Sequence, residues 1–281
     1  MISYPHAIIL GLLQGISELF PISSLGHSVL VPNLLGWKVG DPDTGAFLTF
    51  LVATHLATAL VLLGFYWKEW LNILQGMGRS FMARKISDTE PMGKLGWLLV
   101  LGTLPTAILA LLFKDQVQHL FSSPQIVAAF LVINGFMLYA AEYLRTNKKL
   151  GQTLAQLTFV QAFGVGLSQV LALIPGLSRS GATMSGGLVV GLSHEEAVHF
   201  AFLLATPIIL AAALVQLPML FQPEYRELVG PALAGSIAAA MGAFFAARYL
   251  VQHIQTKKLT PFALYCVIAG LLSMLALAVR S

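Results

Sequence analysis

Charged side chains are scarce in this sequence. Lys, Arg, Asp and Glu together make up 10% of its 281 residues, whereas hydrophobic residues make up 57%. A soluble domain carries about 25% charged residues, so too few are present here to cover a surface that faces water. The deficit excludes an ordinary soluble protein and indicates that lipid surrounds most of the chain.

Cysteine is nearly absent, and the sequence shows neither the pattern of a cleavable leader nor a basic patch. The single cysteine, Cys266, excludes an internal disulfide framework and a cysteine-rich metal site. The first residues lack a basic region followed by a small-residue cleavage site, so no signal peptide is expected. The basic residues lie in short loops between apolar runs, which predicts no nucleic-acid partner.

Six apolar segments are long enough to cross a bilayer, which takes about 20 mostly apolar residues in a helix. They are 45–67, 95–113, 125–144, 199–221, 230–250 and 261–279. Two further apolar regions, 5–36 and 158–192, are interrupted by Pro, Ser and Gly. Each half of such a region is about 15 residues long, short for a crossing. We therefore predict an all-α polytopic membrane protein with six transmembrane helices and two re-entrant helix hairpins.

The distribution of positive charge predicts the orientation. Eleven of the sixteen cationic residues follow spans one, three and five: Lys68, Arg79, Arg84, Lys85, Lys94, Arg145, Lys148, Lys149, Arg248, Lys257 and Lys258. Cytoplasmic loops carry an excess of Lys and Arg, so these loops are predicted to be cytoplasmic and both termini periplasmic. The other side has only Lys38, Lys114, Arg226 and Arg280, and the sixteenth cationic residue, Arg179, lies in the middle of an apolar hairpin.

The chain contains an internal repeat. The matched segments are Phe50–Thr54 with Phe202–Thr206, and Pro21–Gly26 with Pro175–Gly181, the latter with one residue inserted. Each half has one hairpin and three spans, so the halves should have opposite orientations. We expect a single integral membrane domain, 1–281, built from inverted repeats 1–144 and 156–281. Broken segments paired in this way point to a site near the bilayer midplane.

The first hairpin carries an acid at membrane depth. Glu18 is its only carboxylate, and Gln14, four residues earlier, lies on the same helical face. An ionisable group at such depth is costly and is a functional hypothesis by default. The pair could hold a divalent cation through oxygen ligands, or Glu18 could act as a general base.

A break with hydroxyl groups follows Glu18. Pro21 ends the first half-helix, and Ser23 or Ser24 suits the N-cap of the second. The free N–H groups of that helix start would favour an anion. His27 comes one turn after Ser24, and a hydroxyl beside an imidazole is the minimum for an activated nucleophile.

The second hairpin supplies a guanidinium. Arg179 stands near a predicted helix start with Ser178 as its cap, and Arg matches phosphate with two parallel hydrogen bonds. Ser180 and Thr183 would add hydroxyl donors. The alternative is a buried ion pair between Arg179 and Glu18. Opposed hairpins would bring Glu18, Ser24 and His27 to Arg179, which favours phosphoryl transfer on a polyprenyl diphosphate.

Other polar residues carry less information. His55 lies in the middle of a span, and both a position facing the cavity and a bond to backbone are open for it. His194 and His199 are expected in a solvated loop rather than in a metal site. Glu142 is expected at the interface beside Arg145.

These motifs resemble the undecaprenyl-diphosphate phosphatase family, also known for bacitracin resistance. The first signature runs from Gln14 and Glu18 to Pro21–His27, and the second is Pro175–Thr183. The resemblance implies hydrolysis of undecaprenyl diphosphate to undecaprenyl phosphate and phosphate, which recycles the carrier of peptidoglycan synthesis. It implies a site that faces the periplasm from the bacterial inner membrane, and dependence on Mg²⁺ or Ca²⁺. It leaves a homodimer open.

The resemblance also implies roles for the residues. Ser24 would be the nucleophile, Glu18 its base or a metal ligand, Arg179 the phosphate clamp, and His27 an acid/base or the nucleophile. The residues expected to bind substrate are Gln14, Ser23, Ser178, Ser180 and Thr183. Gln14 replaces a Glu found in some members, which weakens the case for a metal held by two carboxylates.

Two other classes of function compete with an enzyme. Inverted repeats and broken helices are typical of transporters, so a flippase for the same lipid is the main alternative. A flippase needs a charged cavity but not an adjacent Ser and His. A structural scaffold would leave Glu18 and Arg179 without a purpose.

Overall fold

The computed structural model describes residues 2–37, 39, 45–87, 89–113, 116, 123–146, 151–253 and 258–280. Within these ranges the named α-helices are α1 Tyr4–Leu19, α2 Ser24–Leu35, α3 Ala46–Phe65, α4 Trp67–Met82, α5 Pro91–Leu112, α6 Pro124–Thr146, α7 Phe159–Val170, α8 Arg179–Val190, α9 His194–Gln216, α10 Val229–His253 and α11 Thr260–Arg280. Short 3₁₀ turns occupy Leu154–Gln156, Leu171–Leu173, Leu217–Phe221 and Pro223–Leu228. No β-strand occurs in the described part of the chain.

The six predicted spans are confirmed as helices. The helical segments long and apolar enough to cross a bilayer are Ala46–Phe65, Pro91–Leu112, Pro124–Arg145, His194–Phe221, Pro223–Leu250 and Thr260–Arg280. The fourth begins five residues before the predicted start at 199. It does so because the Ser193 side chain accepts a hydrogen bond from Glu196 N and caps the helix.

Helix α4 lies where the sequence predicted only a cytoplasmic loop. Its apolar residues recur at helical spacing, and it buries Ile73 and Gly76 on one face. Gly76 and Gly93 lie so close that a methyl group on either would collide with the backbone of the other. Phe81 and Met82 are exposed at its end. The polar residues hide this amphipathic pattern from a search for long apolar runs.

Both interrupted regions form a short helix, a turn and a second short helix. In the first, α1 ends at Leu19 just before Pro21, and α2 runs from Ser24 to a left-handed Gly36. In the second, Thr158 and Gln161 form a capping box at the start of α7. A left-handed Gly191 then ends α8.

Small residues let the helices approach closely. Helix α1 packs against α10, where a methyl group on Gly15 would collide with the Ala239 carbonyl. Helix α5 meets α7 in the same way at Gly102 and Gly166. Close backbone contact of this kind supplies the van der Waals packing that drives helix association in lipid. These contacts hold the two interrupted helix pairs against the spans.

Candidate active site

The turn between α1 and α2 has an unusual backbone. Ser23 adopts φ 66° and ψ 89°, a left-handed conformation that costs energy for a residue with a side chain. Its hydroxyl accepts a hydrogen bond from Gly26 N at 3.1 Å and donates one to the Leu177 carbonyl at 3.3 Å. Ser23 is therefore the N-cap of α2, and the side chain of Ser24 is free for other contacts.

The turn before α8 reaches back to the first turn. Ser178 caps α8 by accepting a hydrogen bond from Gly181 N, as predicted. The Ser180 hydroxyl donates to the Phe20 carbonyl at 3.0 Å. With the bond from Ser23 to Leu177, this joins the two turns directly.

Asn134, at the middle of α6, connects the same two turns and is fully buried. Its Nδ2 donates to the Pro21 carbonyl at 3.0 Å, and its Oδ1 accepts from Ser178 N at 2.9 Å. Asn134 was not among the residues predicted from the sequence. The available signal was an uncharged amide in the apolar middle of a span.

The turns place Glu18 in a dense set of donors. Glu18 is 5% exposed. Its Oε1 accepts from Arg179 Nη2 at 2.8 Å and Nε at 3.3 Å. Its Oε2 accepts from Ser24 Oγ at 2.5 Å and from Gln14 Nε2 at 2.9 Å. The predicted meeting of acid, hydroxyl and guanidinium is therefore present, and so is the alternative of a buried ion pair.

Arg179 keeps donor capacity for a ligand. Besides its two bonds to Glu18, it donates from Nη1 to the Ala201 carbonyl at 3.2 Å. A guanidinium has five N–H donors in a fixed fork, and these contacts use three of them. Two N–H groups thus remain without a partner among the described residues, enough for a bidentate contact with phosphate.

His55 of α3 completes the surroundings of Glu18. Its Nε2 lies 3.2 Å from Glu18 Oε2, and its Nδ1 lies 2.7 Å from the Leu51 carbonyl. Both alternatives that the sequence left open for His55 are therefore realised: one ring nitrogen contacts the backbone, and the other faces the Glu18 carboxylate. The sequence alone does not determine how α3 is rotated about its axis, and that rotation turns His55 toward Glu18.

A cavity of about 220 Å³ opens beside these groups. Its polar lining consists of Glu18, Ser23, Ser24, His55, Thr106 and Arg179. A second cavity, of about 240 Å³, shares six lining residues with the first: Leu48, Val52, Thr106, Leu173, Ile208 and Ala212. Apart from Thr106 and Gln216, the second cavity is lined by apolar side chains. We call the first the polar cavity because it holds the polar groups around Glu18, although most of its other lining residues are apolar; through the shared residues it adjoins the second, apolar cavity.

Comparison with known proteins identifies the family. Residues 7–272 match the family model described as bacitracin resistance protein BacA. The chain belongs to the BacA family. An undecaprenyl-diphosphatase of Mycolicibacterium paratuberculosis is 43% identical to it over 303 residues, covering 99% of each chain. Undecaprenyl-diphosphatase 2 of Burkholderia ambifaria is 43% identical over 264 residues, covering 94% of this chain and 93% of the relative.

In this BacA family member, His27 lies away from the group around Glu18. Its Nδ1 is 2.7 Å from the Ser23 carbonyl, its Nε2 is 2.7 Å from the Tyr265 hydroxyl, and its ring stacks on Tyr265. It does not line the cavity. The expected partnership of Ser24 with His27 is thus replaced by that of Ser24 with Glu18, and His27 instead supports the carbonyl of Ser23.

The remaining predicted substrate-binding residues surround the cavity rather than line it. Gln14 contacts Glu18, and the Thr183 hydroxyl donates to the Arg179 carbonyl at 2.8 Å. Ser178 and Ser180 hold the turn before α8, and their hydroxyls lie 3.1 Å apart. In the described structure these four residues position the groups that line the cavity.

The residues expected to bind a divalent cation do not fit a resident metal ion. Both oxygens of Glu18 already accept hydrogen bonds, and Arg179 adds positive charge beside them. Gln14 contributes one buried Oε1 that has no partner among the described residues. Within the same residues, no group of three or more His, Cys, Asp or Glu could hold a metal. Gln14 and Glu18 therefore offer a metal ion one amide oxygen and one carboxylate that is already occupied.

His194 and His199 do not lie in a solvated loop, so that prediction is wrong. Both belong to α9, where each contacts a carboxylate of another helix at 2.8 Å: His194 contacts Glu142, and His199 contacts Glu69. Glu142 also accepts from Leu259 N and is buried rather than interfacial. These pairs connect helices α4, α6 and α9 outside the cavity.

Proposed function

We propose that this protein hydrolyses undecaprenyl diphosphate to undecaprenyl phosphate and inorganic phosphate. Membership of the BacA family and the undecaprenyl-diphosphatase relatives support this activity. The observation that carries the proposal is the contact of 2.5 Å between Ser24 Oγ and Glu18 Oε2, beside the two remaining N–H groups of Arg179. The reaction returns the lipid carrier to peptidoglycan synthesis, and it accounts for bacitracin resistance.

The geometry supports Ser24 as the nucleophile and Glu18 as its base. The Ser24 hydroxyl proton passes to Glu18 Oε2 as Oγ attacks the terminal phosphorus. The bond to the bridging oxygen breaks, and its electron pair leaves with the prenyl phosphate. Water then attacks the phosphoserine, Glu18 returns the Ser24 proton to Oγ as the bond between phosphorus and Oγ breaks, and phosphate leaves carrying the protons of the water.

Arg179 and the helix starts supply the electrostatic stabilisation. The free N–H groups of Arg179 match two non-bridging oxygens of the terminal phosphate. The N-termini of α2 and α8 lie in the joined turns and favour the same negative charge. Groups fixed in a site of low dielectric stabilise the charge of a transition state without reorganising.

The two continuous cavities suit the two ends of the substrate. The diphosphate would occupy the polar cavity beside Glu18, and the first prenyl units would occupy the apolar cavity. A headgroup without a tail loses the burial of apolar surface, worth about 0.8 kcal/mol for each CH₂. Inorganic pyrophosphate should therefore be a much poorer substrate than farnesyl diphosphate.

The first prediction tests the reaction itself. Purified wild-type protein in detergent should release phosphate from farnesyl diphosphate, and Ser24→Ala should lower turnover by about 10³-fold or more, since the nucleophile is lost. Ser28→Ala is the matched control, because Ser28 is buried one turn along α2 and does not line the cavity. It should keep activity close to that of wild type.

Each outcome of that assay is informative. Near-wild-type turnover by Ser24→Ala would contradict the assignment of Ser24 as the nucleophile and favour direct attack by water. Lipid translocation by wild-type protein without phosphate release would instead support the flippase.

The same assay in the presence of EDTA tests the divalent cation that the family resemblance implies. We expect this cation to enter with the diphosphate, since Mg²⁺ is often held by substrate phosphates. Full activity in EDTA contradicts that requirement.

We further propose that α1–α2 and α7–α8 are re-entrant hairpins of an inverted repeat, with the site facing the periplasm of the inner membrane. Helices α2 and α8 have 12 residues each. At 1.5 Å per residue they are about 18 Å long, short of the roughly 30 Å hydrocarbon core. The predicted excess of Lys and Arg after spans one, three and five sets the orientation.

Cysteine labelling in intact cells and in inverted vesicles tests this topology. In a Cys266→Ser background, Tyr4→Cys and Leu35→Cys should both react from the periplasm. Val160→Cys and Val189→Cys should both react from the cytoplasm, and Arg179→Cys should resist bulky impermeant reagents at the tip. If Tyr4→Cys and Leu35→Cys react from opposite sides, the first pair crosses the membrane and the inverted repeat is wrong.

A further inference from the structure

His55 is held so that both of its ring nitrogens face acceptors. The Leu51 carbonyl, 2.7 Å from Nδ1, can only accept a hydrogen bond. Glu18 Oε2, 3.2 Å from Nε2, is an acceptor as a carboxylate oxygen. A ring that donates at both nitrogens carries a hydrogen on each, so His55 faces Glu18 as an imidazolium whose Nε2–H points at Oε2. Its orientation is fixed from the opposite side by its own helix.

The position of His55 gives this donor a second target. His55 lines the cavity together with Ser24 and Arg179, which the proposed function assigns to the reaction. Its Nε2 reaches the oxygen that also accepts from Ser24 and Gln14. Three donors thus converge on one oxygen, Oε2, while Arg179 occupies the other.

The hydrogen bonds that Glu18 Oε2 accepts change during the reaction. When Oε2 takes up the Ser24 proton, it becomes the hydroxyl oxygen of a neutral acid and accepts hydrogen bonds much more weakly. The donor on His55 then loses its partner at the moment when negative charge builds up on the phosphate in the same cavity. A donor released next to developing charge acts mainly on the transition state.

We propose that His55 is a catalytic residue that donates from Nε2 to a non-bridging oxygen of the terminal phosphate as Glu18 takes up the Ser24 proton. The inference rests on the proposed function and adds a second phosphate donor to Arg179. It predicts an interaction made in the transition state but not in the ground state. Such an interaction raises kcat and leaves KM unchanged.

Three variants at position 55 test this. His55→Leu removes the donor, whereas His55→Gln places an amide donor at a similar reach from the backbone. His55→Asn keeps an amide but is too short to reach the phosphate, and it serves if the leucine variant does not fold. Turnover of farnesyl diphosphate and inhibition by orthovanadate, an analogue of the phosphoryl transition state, are the measurements. His199→Leu is the matched control, because His199 also contacts a carboxylate but lies outside the cavity.

We expect His55→Leu and His55→Asn to lower kcat by about 10²-fold with KM nearly unchanged, as removal of one preorganised donor does. Orthovanadate should bind more weakly by a similar factor, and His55→Gln should recover most of both losses. A fall in kcat with unchanged orthovanadate inhibition would overturn the proposal, since His55 would then act only by positioning Glu18. Wild-type turnover by His55→Leu would overturn it as well. Failure of the proposed function is distinct, because wild-type protein would then release no phosphate at all.

Discussion

Arg179→Ala should insert into the membrane but release phosphate at least about 10³-fold more slowly than wild-type protein. Among the described residues that line the cavity beside Glu18, Arg179 is the only Arg or Lys. Its removal takes away the fork that would bind two phosphate oxygens. It also takes the guanidinium from the buried carboxylate of Glu18 and leaves His55 as its remaining charged contact; breaking a buried ion pair costs up to about 3–5 kcal/mol of stability.

A lysine at position 179 distinguishes the effect of the positive charge from that of the forked guanidinium geometry. Arg179→Lys keeps a positive partner for Glu18, so thermal unfolding in detergent should stay close to that of wild type. Turnover of farnesyl diphosphate should still fall by about 10²-fold, because an ammonium cannot make the bidentate contact. Equal turnover by Arg179→Lys and wild-type protein would contradict the clamp.

Arg79→Lys is the matched control for that substitution. Arg79 also makes two hydrogen bonds to one carboxylate, that of Glu90, but the pair lies on the exposed surface. Exposed ion pairs contribute little to stability, and this one is far along the chain from the cavity residues. Neither unfolding nor turnover should change measurably in this control.

Asn134→Leu should lower both stability and activity, although Asn134 does not line the cavity. It leaves Ser178 N–H buried without its partner and the Pro21 carbonyl with only the 3.9 Å contact from Cys266 Sγ. A buried polar group left without a partner costs about 1–3 kcal/mol. The turns that carry Ser24 and Arg179 would then shift relative to each other. A misplacement of about 1 Å can reduce turnover by about 10²-fold.

Thermal unfolding and phosphate release from farnesyl diphosphate measure the two effects of Asn134→Leu. Asn134→Asp retains the acceptor for Ser178 N but sets a carboxylate against the Pro21 carbonyl, so we expect a loss of the same order. Asn33→Leu is the control, since the Asn33 amide donates to the Val29 carbonyl of its own helix rather than to either turn as the structure describes them. Should Asn134→Leu be as active as Asn33→Leu, the connection of the two turns through α6 has no part in activity.

The sequence predicted those parts of the fold that follow from local chemistry. Long apolar runs gave the six spans, and Pro21 and Gly176 marked the two breaks. The meeting of Glu18, Ser24 and Arg179 was also predicted, because charged groups are too costly in lipid to remain apart.

The remaining features depend on how helices rotate against one another. His27 turns toward Tyr265, 238 positions along the chain, and His55 turns toward Glu18. Asn134 reaches two turns that no spacing in the sequence relates to it. Neither periodicity nor a motif fixes these contacts, since they arise from packing between distant segments.

The joining of the two turns bears on when the protein gains its activity during synthesis. Arg179 is added to the chain 155 residues after Ser24. A nascent or truncated chain that stops between them holds an acid and a hydroxyl with no guanidinium opposite them. Such a fragment cannot bind the phosphate oxygens of a lipid diphosphate, so hydrolysis begins only after the second turn has been synthesised and inserted.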